Sequence, residues 1–258
     1  KIVWDDTRNE WLMVLAEGHK IGFYTSPDLK HWAYQSGFER NDLGILECPD
    51  LFRMSLDGNP AKTRWVLATG ANGFKKGKTT GTLYWTGDWD GEHFAADSED
   101  PQWLDAGADF YAAVTWDDPR QTDTKRLDYR FAIGWLNNWA YATSLPTDKW
   151  HGGVNSIVRR ISLRSVDGKP QLVSQPIGAL DKLEGAEERR ADVKVTTSST
   201  VTLPQPTTDA YRLRVELDPA SNAKEVRFRL KEKGEHFVIV GYNFSDSTVF
   251  VKREKDAI

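Results

Sequence analysis

IGFYTSPDLKHW at residues 21–32 and TLYWTGDWDGEHF at residues 82–94 decide how the fold is read. Both run through a strand-like stretch, an aromatic pair, a threonine, a small residue, a turn containing aspartate, then histidine and an aromatic residue. The strands before them also match: Glu10-Trp11-Leu12 precedes the first copy and Arg64-Trp65-Val66 the second. A repeat of this length that holds several strands suits a four-stranded propeller blade. The alternative is a pair of similar hairpins in an unrelated β fold.

Working outward, the chain keeps this character. Trp11–Leu15, Arg64–Ala68, Thr82–Thr86, Tyr111–Trp116 and Tyr129–Trp135 are short apolar or β-branched runs bounded by Gly, Pro, Asn and Asp, the pattern of strands between tight turns. No long segment holds a helical period. IGALDKLE at 177–184, with Ile177, Leu180 and Leu183 on one face, predicts a short helix. Tryptophan stops at Trp150. Beyond about residue 185 the pattern turns to plain alternation through Val193, Val195, Val201-Thr202-Leu203, Tyr211–Leu217 and Val226–Lys231, which predicts antiparallel strands with one wet face, as in a sandwich. The expected architecture is all-β: a propeller over 1–185 including a linker helix, then a β-sandwich over 186–258.

Composition narrows the function classes. With 34 basic and 38 acidic residues the formal charge is −4, a poor match for nucleic acid or an anionic membrane surface. No stretch approaches the roughly 18 apolar residues of a membrane span. One cysteine excludes an internal disulfide framework and a cysteine-rich zinc site. His19, His31, His93, His151 and His236 show no metal-ligand spacing, so neither a metal nor a cofactor is expected. The Gly-rich stretch 70–78 lacks Walker spacing and reads as a solvated connecting loop. The 11 Trp, 8 Tyr and 11 Phe are numerous; most belong to core packing, and a few are candidates for stacking on sugar rings.

GILECPDLFRM at 44–54 then demands a reason for placing Glu47-Cys48-Pro49-Asp50 among apolar residues. Glu47 between Leu46 and Cys48 is expected in a partly apolar setting, which favours the neutral acid and suits a general acid near neutral pH. Pro49 is expected to end ladder pairing and leave Glu47 at a strand end facing a cavity. Asp50 is expected to orient the site from behind. The competing reading is a capped turn with solvated acids.

Glu47-Cys48-Pro49-Asp50-Leu51-Phe52 resembles the acid/base motif of glycoside hydrolase family 32, the invertases, inulinases, levanases and fructosyltransferases. Gly107-Ala108-Asp109-Phe110-Tyr111-Ala112-Ala113 is similar to that family's Gly-x-Asp-Phe-Tyr-Ala segment, and Gly134-Trp135-Leu136-Asn137-Asn138-Trp139 to its Gly-Trp-Met-x-Asn-Trp segment, followed by Pro146-Thr147 and Trp150. The resemblance implies a five-bladed propeller followed by a β-sandwich. It also implies a secreted, retaining glycosidase acting on β-fructofuranosyl bonds of fructans or sucrose-type oligosaccharides through a fructosyl-enzyme. By this resemblance Glu47 is the acid/base, Trp135 lines the pocket for the terminal fructose, Asp109 and Tyr111 shape the pocket, and Cys48 tunes the glutamate.

The departures matter as much. The family's nucleophile motif, of Asn-Asp-Pro type, has no counterpart here, and Lys1-Ile2-Val3-Trp4 matches the residues that follow its Arg-Asp-Pro motif. The expectation is an internal fragment, with parts of propeller and sandwich missing, that is inactive alone. Asn155–Arg159, Tyr84–Gly87 and Tyr111–Trp116 look closer to levan fructotransferases, which release a cyclic difructose. Other readings are a family 43 or 68 type glycosidase, a non-catalytic carbohydrate-binding propeller, and a structural interaction protein. Linkage preference and oligomeric state stay open.

Overall fold

In the computed structural model the described residues are 1–73, 77, 80–144, 153–197, 199–208, 210–220, 222–233 and 236–254. Pro146-Thr147, Trp150 and residues 74–76 and 78 of the Gly-rich stretch lie outside them, while Gly70–Asn72, expected in a solvated loop, end the strand Asn59–Asn72 instead. The chain forms two compact units, Lys1–Leu183 and Glu184–Ile258.

The first unit consists of three antiparallel meanders. The first runs β1 (Ile2–Asp5), β2 (Glu10–Glu17), β3 (Lys20–Ser26) and β4 (Ala33–Glu39), paired in that order. The second runs β5 (Glu47–Leu56), β6 (Asn59–Asn72), β7 (Thr80–Trp89) and β8 (Phe94–Ala96), with the short β9 (Gln102–Trp103) also on β7. The third runs β10 (Tyr111–Trp116), β11 (Arg130–Trp135), β12 (Arg159–Val166) and β13 (Lys169–Pro176), with a one-turn helix at Asp123–Arg126 between its first two strands. A single parallel bridge, Leu163↔Leu56, joins the second meander to the third. Each meander has the connectivity of a propeller blade. No closed ring is present among the described residues.

The sequence repeat maps onto equivalent hairpins. Leu12 pairs Thr25 in β2–β3, and Val66 pairs Thr86 in β6–β7. The β2–β3 turn is only Gly18-His19, and Gly18 supplies the positive φ of 74° that so tight a turn requires.

Alternation along the strands distributes the core. Leu51, Leu67, Leu83 and Trp85 pack with Leu12, Val14, Ile21 and Phe23 of the first meander. Phe52, Met54, Val66, Ala68 and Tyr84, on the other face of the same strands, pack with Phe110, Ala132, Ile161 and Leu163 of the third. The central sheet is therefore covered on both faces, which is why its strands read as continuous apolar runs. At about 1.5–3 kcal/mol per buried large side chain, these two layers supply the main stabilisation of the unit.

The second unit holds one three-stranded meander, β14 (Glu225–Lys233), β15 (His236–Asn243) and β16 (Thr248–Glu254). Two expectations fail outside it. Tyr211–Leu217 alternates as a strand does, yet it has no strand partner among the described residues, and Tyr211, Leu213, Val215 and Leu217 are all exposed. Val193, Val195 and Val201–Leu203 are likewise not in strands. Alternation permits a strand, but ladder hydrogen bonds need a neighbour. The predicted helix at 177–184 is a 3-10 helix over Gly178–Leu183 with no buried residue; without a partner for its apolar stripe it does not extend.

Candidate active site

Glu47 is the first residue of β5, opposite Gly70 of β6. Pairing resumes only at Asp50↔Ala68, so Cys48 and Pro49 form a bulge. This corrects the expectation that Pro49 ends the ladder: it sits inside the strand at a point that requires no amide donor. Cys48 carries the irregularity with φ of 50°. The register sets Glu47 opposite Gly70 and Asp50 opposite Ala68, two residues apart on β6, so both carboxylates lie on one face of β5 and differ by their place along the strand. Glu47 is exposed and Asp50 is buried, so the apolar setting expected for Glu47 belongs to Asp50 instead.

The partner of Glu47 arrives from a distant segment. Tyr111 begins β10, and its hydroxyl donates a hydrogen bond to Glu47 Oε2. The Tyr111 phenol is nearly buried, and burial, then the Glu47 carboxylate, push its pKa well above the ordinary tyrosine value. It therefore remains a donor throughout the neutral range. Thr69 Oγ1 donates to the Glu47 carbonyl at 2.9 Å and fixes the backbone at the same point. Cys48 is exposed; partial burial and Glu47 raise its thiol pKa, which keeps it uncharged beside the acid.

Trp135 reaches this place through β11. It pairs directly with Tyr111 across the β10–β11 ladder, and a bulge at Ala112, with φ of 47°, follows immediately. Trp135 packs on Trp139 with ring centroids 5.1 Å apart at 58°, and Trp139 is exposed. Phe110 lies over Gly134: a Cβ there would stand 2.9 Å from the Phe110 ring. The glycine of the Gly134-Trp135 pair is thus a seat for the ring next to Tyr111.

Asp109 takes a different position. It accepts from the Tyr141 hydroxyl. The loop that carries it is held by Asn138, which is fully buried and donates to Thr80 O at 2.9 Å and Ala108 O at 2.8 Å, while its Oδ1 accepts from Ala140 N at 2.9 Å. Asp50, beneath β5, accepts from Thr115 Oγ1 at 2.7 Å and lies 3.6 Å from Lys1 Nζ. Arg130 Nε donates to the same Thr115 hydroxyl at 3.0 Å, with its guanidinium over the Phe52 ring. Burial lowers the Arg130 pKa and Asp50 opposes that shift. The Asp50–Thr115–Arg130 chain ties the strand bearing Glu47 to the two strands bearing Tyr111 and Trp135.

The structure thus brings Glu47, Tyr111 and Trp135 into one contiguous group, sets Cys48 at its edge, puts Asp50 underneath, and gives Asp109 to Tyr141. Sequence reading missed Thr69, Gly70, Thr115, Arg130, Asn138 and Tyr141 as members of this neighbourhood. Asn138 and Thr115 lay inside recognised segments and Gly70 at the start of the Gly-rich stretch; Thr69, Arg130 and Tyr141 carry no local signal, because their roles come from contacts across strands. No group of three or more His, Cys, Asp and Glu side chains suited to a metal ion occurs among the described residues.

Comparison with known proteins gives a consistent picture. Residues 1–176 match the domain described as glycosyl hydrolases family 32 N-terminal domain, and residues 179–257 match glycosyl hydrolases family 32 C terminal. A levanbiose-producing levanase of Geobacillus stearothermophilus is 43% identical over 257 residues, covering 98% of this chain and 63% of that protein. An extracellular exo-inulinase of Aspergillus ficuum is 30% identical over 269 residues, covering 98% of this chain and 49% of that protein. The structure of β-fructofuranosidase from Schwanniomyces occidentalis complexed with fructosyl-erythritol superposes with a TM-score of 0.72 at 22% identity, over 99% of this chain and 52% of that one. That likeness is one of fold: all-β, an N-terminal propeller followed by a β-sandwich. The chain spans about half to two-thirds of the length of these relatives.

Proposed function

The chain belongs to glycosyl hydrolase family 32, and on that premise we propose that it carries the acid/base end of a retaining enzyme that hydrolyses β-fructofuranosyl bonds of fructans. The observation that carries the reading is the Tyr111 hydroxyl bonded to Glu47 Oε2 beside Trp135. With Oε2 engaged as acceptor, Oε1 is the oxygen free to hold the transferable proton. Glu47 then protonates the departing glycosidic oxygen and later takes a proton from the incoming water. Trp135, half-buried and backed by Trp139, offers an aromatic face for the fructosyl ring. Asp109 acts through Tyr141 on the pocket wall.

A retaining reaction also needs a carboxylate nucleophile about 5 Å from the acid. Asp50 is buried on Thr115 and Asp109 is bonded to Tyr141, which suits neither to that role. Residues 1–258 hold no counterpart of the family's nucleophile motif, so by themselves they are expected to be inactive. Levan is the first substrate to test, since a relative at 43% identity is named a levanbiose-producing levanase. A polymeric substrate fits secretion, and the Aspergillus relative is named extracellular. No helix among the described residues is long and apolar enough to cross a membrane.

The test is the full-length gene product and its Glu47→Gln variant on levan, inulin and sucrose, with products resolved by chromatography. Fructose or short linear fructans, with at least about a hundredfold loss in the variant, supports the reading. A cyclic difructose from levan with the same loss makes the enzyme a fructotransferase. No product, or no loss, leaves a carbohydrate-binding propeller.

A further inference from the structure

Gly70 sits in the interior of β6, where a glycine weakens a strand and is out of place without a reason. Its φ is not in the left-handed region, so its backbone does not demand glycine. The register puts it opposite Glu47 on one side and Thr82 on the other. The Tyr111 ring crosses at this point on its way to Glu47. A Cβ on residue 70 would lie 2.9 Å from Tyr111 Cε2, 3.1 Å from Cζ and 3.3 Å from the Glu47 carbonyl oxygen.

The ring has little freedom to yield. Tyr111 is buried. The preceding carbonyl, Phe110 O, accepts from both the amide and the hydroxyl of Thr82, each at 3.1 Å. Phe110 itself is seated over Gly134. A methyl group at 70 therefore has to turn the phenol away from Glu47. The sequence repeat supplies a control within the same molecule. Gly70↔Thr82 in β6–β7 corresponds to Ala16↔Ile21 in β2–β3, and there the position carries a Cβ.

We propose that Gly70 is a positioning residue for acid catalysis: its missing side chain is the slot through which Tyr111 reaches Glu47. This rests on the reading of Glu47 as the acid/base. Loss of acid assistance penalises poor leaving groups selectively, because a fluoride leaves a fructosyl centre without being protonated.

The experiment compares kcat/KM on sucrose, levan and β-fructosyl fluoride in the full-length gene product and its Gly70→Ala, Tyr111→Ala and doubly substituted variants. Gly70→Ala is expected to lower kcat/KM on sucrose and levan by about tenfold, with kcat/KM on fructosyl fluoride, which reports the first step alone, held within about twofold. In the Tyr111→Ala background the second substitution is expected to add nothing, and that comparison also serves if Gly70→Ala alone does not fold. Unimpaired Gly70→Ala, equal loss on sucrose and fructosyl fluoride, or a further loss in the Tyr111→Ala background overturns the inference. Glu47→Gln separates the two claims. If it keeps its sucrose activity, the acid/base reading itself is wrong. If it is inactive while Gly70→Ala is not impaired, only the role of Gly70 is.

Discussion

The hairpins β2–β3 and β6–β7 are built to one plan and used differently. Their registers coincide, with Trp11 and Trp65, Leu12 and Val66, and Thr25 and Thr86 in matching places. Both bury apolar side chains in the same layer. In the second hairpin a ring from another meander, Tyr111, lies over a backbone glycine, Gly70. That hairpin is also flanked by a first strand that begins with a bulge at Cys48-Pro49. The blade plan accounts for stability, whereas the candidate chemistry occupies the departures from it. A strand interior with ordinary residues has no reason to hold a carboxylate at a solvent-facing end and another in the core.

The comparison sharpens most if the two buried aspartates behave differently. Asp50→Ala and Asp5→Ala each remove a buried hydrogen-bonded carboxylate. Asp50 accepts from Thr115, and Asp5 from Trp89 Nε1 at 2.8 Å and the Thr7 amide at 2.8 Å. Each is expected to cost about 3 kcal/mol in denaturant unfolding. Only Asp50→Ala should also change the ratio of rates on sucrose and fructosyl fluoride, because only Asp50 ties β5 to the strand of Tyr111. An equal change in that ratio for Asp5→Ala would break the distinction between plan and departure.

Tyr111→Phe comes next. It keeps the ring over Gly70 and removes the donor to Glu47, a charge-assisted bond worth about 1.5–3 kcal/mol. Steady-state kinetics should show kcat on sucrose reduced about tenfold with little change in KM. A purely structural tyrosine would lose thermal stability and leave the kinetics alone.

Ala16→Gly is the converse of Gly70→Ala and should do less. It costs the entropy of a strand glycine, about 0.5–1 kcal/mol by thermal melt, and leaves activity unchanged. The smallest effect is alkaline. The Tyr111 phenol is held above its ordinary value, first by burial and then by Glu47, so folding favours its neutral form. The resulting stability is complete below pH of about 10 and is lost as pH rises through the folded value. Burial also raises the Tyr84 phenol, so absorbance titration should show more than one late-ionising phenol, one of which disappears in Tyr111→Phe; a Tyr111 that ionises with the exposed tyrosines would contradict its burial against Glu47.

Local rules made much of this molecule legible. Period-two runs between Gly, Pro and Asp turns gave the meander strands, and the repeat of Trp11 at Trp65 and of Thr25 at Thr86 gave the blade. The Glu47 segment stood out because acids and proline inside an apolar run violate the strand pattern, which marks a bulge or a site. Where the chain's own neighbours were not enough, sequence reading failed in a consistent way. Tyr211–Leu217 has the alternation of a strand without a pairing partner among the described residues. Glu47 is exposed and Asp50 buried on one face of β5, because the first lies at the strand end and the second against Thr115 of another meander. The bond from Tyr111 to Glu47 spans 64 residues of sequence, and its passage over Gly70 depends on how two meanders pack. Hydrophobic period and turn chemistry act between near neighbours, so sequence alone determined many of the strands of the first unit and marked the Glu47 segment as a candidate site. Register, bulges and ring-over-glycine contacts are settled only when distant strands compete for the same space, and that competition decided how the site is assembled.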